Sequence, residues 1–401
     1  MSGRVEVADI FRAHGPGYRQ RHADELSLQQ RRAMRAIEVC RTAELGGHVD
    51  ECDHCGARRI SYNSCRNRHC PKCQCLDKER WLERQIRDLL PVPYFHVVFT
   101  LPEALGPLVL RNQAVLYDRL FRAASEALLE LTADEDHLGA QIGATALLHT
   151  WSQLLTYHPH VHFIVPGGGL SSDGRRWMGT SPSFLVPVVA LSRLFRGKML
   201  AAVRAAYEEG ELIFPGCIAD LEQPRAFRQL LGSLYDQDWV VYCKPPFGGP
   251  RQALEYFARY THRVAISNDR LVGHADGRVT FRYRDSADGN RIKETTVEAE
   301  EFIRRFLLHV LPSRFVRIRH YGLLGNRNRK TKLAHCQQLL GTAWSADEAG
   351  PAKQPWQDLV LKLTGKDPME CPHCGKGRMR TTRELAPSSE RAPPEGGRRS
   401  A

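Results

Sequence analysis

No apolar run in this sequence approaches the roughly 20 residues that a membrane span needs. The opening residues, MSGRVEVADIFRAHG, hold no apolar core of the kind a signal peptide carries. A soluble intracellular chain with no membrane partner is the resulting expectation. No internal repeat is present, so a stacked-repeat architecture is not expected. Acidic residues are in deficit: 45 Asp and Glu stand against 57 Lys and Arg, a net charge of +12. An excess of that sign suits a polyanion, either nucleic acid or an anionic membrane surface, without choosing between them. Hydrophobic residues at 42% and charged residues at 25% exclude a disordered or fibrous chain. A length of 401 residues predicts two or three domains.

Cysteine is unevenly spread. Of the 12 cysteines, seven lie between Cys40 and Cys75. In a reducing compartment such a cluster reads as metal ligands rather than disulfides. Cys52-x2-Cys55 and Cys70-x2-Cys73 are separated by 14 residues. Each knuckle offers two sulfurs on one turn, so the pair predicts one tetrahedral zinc site. Further donors share the window: Cys40, His48, His54, Cys65, His69 and Cys75. Of these, Cys40, His48, Cys65 and His69 are the candidates for a second zinc. Arg58, Arg59, Arg66, Arg68, Lys72 and Lys78 surround the ligands, which favours a nucleic-acid grip over a purely structural knot. Cys371-Pro-His-Cys374 is a lone knuckle, with His335 and Cys336 as its candidate partners. Cys217 and Cys243 read as core thiols.

The hydrophobic periods predict an α+β fold. A helical pattern covers residues 1–45 and stops at Gly46 and Gly47; a second helix covers about 76–90 and ends before Pro91. YFHVVFTLP, from Tyr94, reads as a buried strand, and helical material follows to about residue 132. A second strand spans about 156–165 and is closed by Gly167, Gly168 and Gly169. Residues 184–212 are helical, WVVYCKPP is a short strand, and QALEYFARYTHRV is a helix. RVAISNDRLVGHADGRVTFRYRDS reads as an antiparallel meander, and residues 299–311 as a helix. The predicted divisions are a helical and zinc-binding part (1–90), a catalytic domain (91–300), a basic DNA-binding part (301–380) and a disordered tail (381–401).

His158-Pro-His160-Val-His162 is the most informative segment. Alternate residues of a strand face one side, so the three imidazoles share a face while Val161 and Phe163 point into the core. Two such histidines can chelate a divalent ion, Mg2+ or Mn2+. Tyr256 and Tyr260 sit at helical i,i+4 spacing and can address one site. A metal ion beside a phenol is equipment for phosphodiester transesterification. Phenol attack displaces a 3′-OH and leaves a 5′-phosphotyrosine, so the bond energy is kept for rejoining. A second tyrosine permits a second cut while the first is occupied. The expected order is Tyr260 first and Tyr256 later, with Arg259 and Arg263 bonding neighbouring phosphates.

Between Phe302 and Ala346 there is no acidic residue but nine Lys or Arg, with Phe315, His320 and Tyr321 interleaved. Cations for phosphates and rings for bases are what a single-strand groove requires. Arg317, Arg319, Tyr321, Arg327, Arg329 and Lys330 are its candidate contacts.

HPHVH followed by YFARY resembles the His-hydrophobic-His (HUH) pair and paired tyrosines of the rolling-circle endonucleases: replication initiators, relaxases and certain transposases. LGGHVDECDHCG…YNSCRNRHCPKCQ, LHTWSQLLTYHPHVHFIVPGGGL, YFARYTHRVAISN and RIRHYGLL are similar to the IS91-like transposases, which include the common-region elements. The likeness runs from about residue 25 to 380. It implies an antiparallel-sheet HUH core with flanking helices behind a small zinc-binding domain. It also implies metal-dependent nicking of single-stranded DNA at element ends, and rolling-circle transposition in the bacterial cytoplasm at the nucleoid. The histidine pair carries over to His160 and His162, and the tyrosines to Tyr256 and Tyr260; the common-region branch relies on one tyrosine, matching Tyr260. His158 is the candidate third ligand, beside a water or a distant carboxylate. The competing readings are a plasmid replication initiator or relaxase, against which the zinc block argues, and a zinc-dependent DNA-binding regulator without catalysis, which leaves HPHVH and the tyrosines unexplained.

Overall fold

The computed structural model describes residues 4–388 apart from 87, 245–248, 262–264, 328 and 342–353, and leaves out the side chains of residues 75 and 259–261. Two helices open the chain, α1 (Val7–Arg21) and α2 (Leu28–Val39), where the sequence pattern suggested one helical stretch. The break has a local cause. Ser27 accepts from the Gln30 N–H at 3.2 Å while the Gln30 side chain accepts from the Ser27 N–H at 2.9 Å, a capping box that starts α2 afresh. Strands β1 (Gly47–Cys52) and β2 (Arg58–Tyr62) follow, then α3 (Gln74–Ile86).

The middle of the chain contains β3 (Tyr94–Thr100), α4 (Gly106–Arg111), α5 (Gln113–Ala133), β4 (Ala140–Trp151) and β5 (Tyr157–Pro166). Next come β6 (Gly168–Ser171), β7 (Trp177–Gly179), α6 (Val188–Glu208), α7 (Pro224–Tyr235), β8 (Val241–Lys244) and α8 (Pro250–Thr261). The last third holds the meander β9 (Leu271–Ala275), β10 (Arg278–Asp285) and β11 (Arg291–Glu298), then α9 (Ala299–Leu307) and β12 (Ile318–Gly322). It ends with α10 (Arg329–Leu339), α11 (Trp356–Thr364) and β13 (Met379–Leu385). Every strand pair is antiparallel, so the fold is α+β. No described helix is long and apolar enough to cross a membrane.

The chain divides into two compact units, neither of which follows the sequence-based divisions. One contains residues 1–80, 262–310 and 351–401; the other contains 81–261 and 311–350. The meander therefore belongs with the N-terminal helices. Phe11 of α1 meets Phe306 of α9 edge to face at 5.2 Å, and the Val7 N–H donates to the Asn268 side chain. Residues 379–385, mostly expected in a disordered tail, form β13 against β1; residues 389–401 lie outside the described part.

The second unit is organised by a seven-stranded sheet in the order β7-β6-β4-β5-β3-β8, with β12 paired to β4. One face is apolar. Phe95, Val97 and Phe99 of β3, Ala144, Ala146 and Leu148 of β4, and Val161, Phe163 and Val165 of β5 pack with residues of α5 and α6 such as Tyr117, Phe121 and Phe195. Where β5 turns into β6, Gly168 has φ +147°, and a Cβ there would lie 2.5 Å from the Met178 carbonyl oxygen. Only glycine fits that bend.

Phe163 is fully buried and meets Phe99 edge to face at 5.3 Å. Phe163→Ala should therefore cost about 3–5 kcal/mol, read as a lowered urea midpoint with unchanged metal content. A loss below about 1 kcal/mol would mean that this layer does not support the sheet.

Candidate active site

The opposite face of the same sheet carries the histidines. Register places His160 opposite His149 of β4 and Thr100 of β3, and His162 opposite Leu147 and Val98. Period-two alternation then turns His149, His160 and His162 to the face away from the α5–α6 core. One ligand atom from each of these three lies within 4.8 Å of the other two. The third member is His149, not His158. His158 is exposed, its ring 5.2 Å from that of His160, and it lies beyond the irregularity in pairing at His149 and Trp151. The sequence reading missed His149 because residues 140–151 carry no strict alternation; β4 is buried along almost all its length.

Two contacts orient these rings. Nδ1 of His160 lies 2.6 Å from the His158 carbonyl oxygen. The oxygen can only accept, so Nδ1 carries the hydrogen and Nε2 is left with the lone pair that a metal ion would use. Nδ1 of His162 lies 2.8 Å from Nε2 of His96, a β3 histidine that the sequence reading had not singled out. Burial pushes His160 down to about 4; it does the same to His96, where Lys244 adds to the effect. Both rings are neutral at neutral pH, the form in which a histidine ligates metal.

Helix α8 covers this face. Its Leu254, Phe257 and Ala258 are buried with Tyr94, Leu147 and Ile164 of the sheet, which fixes how the helix is rolled. Tyr256 is half-buried, its ring meeting His96 edge to face at 5.5 Å. Tyr256 and His96 line one small cleft with Phe95, Ile164 and Ala253. Tyr260 lies one turn further along α8. Its side chain and that of Arg259 fall outside the described part, as does Arg263 altogether.

Several cations of the expected single-strand groove have partners within the protein. Arg319 pairs with Asp118 at 2.6 Å and stacks over Phe121 at 4.4 Å. Arg329 pairs with Asp88, and its guanidinium reaches Gln85 at 3.3 Å. Tyr321 is half-buried and packs against Phe163, and burial pushes its phenol up. Arg304 and Arg305 share Glu301. Acids distant in sequence, or one residue outside the window, neutralise these cations. Arg317 is half-buried, while Arg327 and Lys330 remain exposed.

The cysteines regroup as well. Cys40, Cys65, Cys70 and Cys73 form one set, with Cys73 Sγ at 3.6 Å from those of Cys40 and Cys65. Sulfur hydrogen bonds from Cys65, Cys70 and Cys73 hold the Cys40 thiol far below its usual range. Cys52 and Cys55 join Cys371 and Cys374 instead. The expected pairing of the two N-terminal knuckles is therefore wrong: Cys52 closes β1, while Cys73 precedes α3 beside Cys40 at the end of α2. His48 and His69 are in neither set; Nε2 of His48 lies 3.5 Å from Asp50, and the His69 N–H donates to Asn67. Cys336 is buried with the α8 residues and His335 contacts the Gly174 carbonyl, so neither joins the Cys371 knuckle.

Comparison with known proteins identifies the family. Residues 10–101 match the family described as "Transposase zinc-binding domain", and residues 143–332 match "Putative transposase". The chain is 53% identical over 376 residues to "Putative transposase y4qJ" of Sinorhizobium fredii, covering 94% of each chain. It is 28% identical over 376 residues to "Transposase for insertion sequence element IS801" of Pseudomonas savastanoi pv. phaseolicola, covering 87% of this chain and 84% of that one. No solved structure matches. The matched zinc-binding domain and the thiol clusters together support structural Zn2+. By these relationships, the chain belongs to the IS91-like transposases.

Proposed function

We propose that this transposase is a metal-dependent tyrosine endonuclease and strand transferase. It cuts single-stranded DNA at the ends of its element, holds the strand as a 5′-phosphotyrosine and drives rolling-circle transposition at the bacterial nucleoid. The observation that carries this reading is one sheet face holding His149, His160 and His162, with the tyrosine helix packed on that same face. A regulator without catalysis has no use for three converging imidazoles beneath a tyrosine.

His149, His160 and His162 would hold a divalent ion; a nitrogen-rich set of this kind suits Mn2+ better than Mg2+. When bound, the ion polarises the scissile phosphate and offsets charge building on its oxygens. The chain's own residues do the rest. A phenol with a pKa near 10 is a poor nucleophile at neutral pH, so its gain comes from position: α8 packs on the histidine face, with the Tyr256 ring against His96 and Tyr260 one turn further along the helix. The phenol gives up its proton, its oxygen bonds to phosphorus, and the P–O3′ bond breaks as the leaving oxygen takes a proton. Attack by a free 3′-OH reverses these steps and rejoins DNA. We assign Tyr260 the first cut and Tyr256 the later transfer. Among the residues expected to touch DNA, Arg327 and Lys330 keep exposed cations for phosphate contact.

Two outcomes follow. With an oligonucleotide from the element's end and Mn2+ or Mg2+, His160→Ala, His162→Ala or His149→Ala should each lower nicking by at least 100-fold, with zinc content unchanged. His158→Ala should cost less. Full cleavage by a His160→Ala/His162→Ala double variant would sink the metal assignment. Tyr260→Phe removes only an oxygen, so packing should survive while the denaturant-resistant DNA adduct is lost; Tyr256→Phe should still form adduct but complete transposition poorly. Trypsin cuts after Arg259 and so separates the two tyrosines. A first-cut adduct mapped to the peptide ending at Arg259 would reverse the proposed order.

A further inference from the structure

The Cys371 knuckle lies beyond both family matches, which end at residues 101 and 332, yet it is built as a twin of the Cys52 knuckle. In the first, the Cys52 N–H donates to the Ala57 carbonyl and the Gly56 N–H to the Cys52 carbonyl, at 2.9 and 3.1 Å. In the second, the Cys371 N–H donates to the Gly377 carbonyl and the Gly375 N–H to the Cys371 carbonyl, both at 2.9 Å. Backbone N–H groups point at sulfur in each: Cys55 to Cys52 Sγ, and Gly377 to Cys374 Sγ, both at 3.5 Å. The knuckles face each other. Cys52 and Cys374 sulfurs are 3.8 Å apart, as are those of Cys55 and Cys371. Zinc bound at about 2.3 Å to four tetrahedral sulfurs requires about 3.8 Å between them, so the donor set fits the ion.

What surrounds the knuckles would not hold them alone. The local apolar cluster is Cys52, Cys371 and Met379, with Ala57 and Cys374 beside it. β13 pairs with β1 from Gly47 opposite Leu385 to Cys52 opposite Met379, and Asp53 accepts from the Arg378 N–H and from Arg380. A three-stranded sheet with so small a core needs a metal to be stable.

We propose that Cys52, Cys55, Cys371 and Cys374 bind a second structural zinc, which makes the C-terminal knuckle and β13 an integral part of the N-terminal zinc-binding module. The module is then assembled from both ends of the chain, and it is complete only after the last knuckle has been synthesised. This does not depend on the nicking reading. The full-length chain should carry two thiolate-bound zinc ions, and replacement by Co2+ should give two thiolate-ligated centres by their near-ultraviolet charge-transfer absorption, which imidazole-bound metal does not contribute. Cys371→Ser/Cys374→Ser should lower both counts from two to one, the Cys40 set keeping its ion. Equal metal content in that variant and the parent would overturn the proposal. The unmutated chain offers an independent test. Cys371 and Cys374 should resist iodoacetamide until a strong chelator is added, and alkylation of both at full zinc occupancy would overturn it too.

A different observation carries a second inference. His96 touches both halves of the candidate centre: its Nε2 meets Nδ1 of His162, and its ring meets the Tyr256 ring. The geometry points to His96 as a positioning residue that accepts the His162 N–H, presents Nε2 of His162 to the metal and seats the tyrosine helix beside it. This rests on the metal-dependent reading. His96→Phe keeps a ring against Tyr256 but removes the acceptor, and His96→Gln returns an acceptor at similar reach. Mn2+ titration of the full-length chain without DNA, followed by electron paramagnetic resonance, should show 10- to 100-fold weaker binding in His96→Phe, largely restored in His96→Gln. Adduct formation by His96→Phe should recover at saturating Mn2+. Unchanged Mn2+ affinity in His96→Phe, or a loss that Gln does not restore, would overturn the role. A parent chain that binds Mn2+ but forms no adduct would instead sink the nicking reading and leave His96 in place.

Discussion

The antiparallel pairing of β4 with β5 governs where the histidines lie. With His160 opposite His149, the alternation of β5 sends Val161, Phe163 and Val165 into the α5–α6 core and the histidines to the other side. Full burial of each such apolar side chain contributes about 1.5–3 kcal/mol. A slip of one residue would reverse every side chain, exposing the apolar residues and burying imidazoles among Phe95, Phe99 and Phe121. The hydrophobic core therefore holds the ligand face in place. The same constraint reaches α8, whose Phe257 and Leu254 pack on Ile164 and Leu147 between and beside the histidines. Tyr256 is placed by its neighbours on the helix as much as by its own contacts.

The sheet unit buries a broad aromatic and aliphatic core. The N-terminal unit joins segments from three parts of the chain, and its three-stranded sheet at β1 has little apolar surface to bury. At that sheet, clusters of cysteine sulfurs stand where a core would otherwise be, whereas the helices and meander of the same unit bury Phe11, Met34, Phe281, Phe302 and Phe306. Sulfur sets at 3.6–3.8 Å spacing connect residues that are distant in sequence, and ion pairs such as Arg380–Asp53 add only modest support at the surface.

Local charge counts are modified by the fold for a related reason. The segment from Phe302 to Ala346 has no acid of its own, but Asp118, Asp88 and Glu301 are folded against Arg319, Arg329, Arg304 and Arg305. A run of one sign in sequence is therefore not a patch of one sign in space. Of the residues expected to touch DNA, Arg327 and Lys330 are exposed.

The sequence by itself determined what depends on neighbours a few residues away. The alternation of HPHVH, the helical spacing of Tyr256 and Tyr260, the α+β class, the meander and the CxxC knuckles are all short-range patterns, and the family likeness is carried by the same residues. Tertiary structure decided every pairing across long separations. It brought a ligand atom of His149 within 4.8 Å of those of His160 and His162, because β4–β5 register chooses that neighbour. It added His96, whose role depends on lying one strand away from His162. It matched Cys52 and Cys55 with Cys371 and Cys374, more than 300 residues along the chain. Spacing rules favour the nearest sulfurs, whereas tetrahedral geometry selects whichever sulfurs the strands deliver to within a metal's reach.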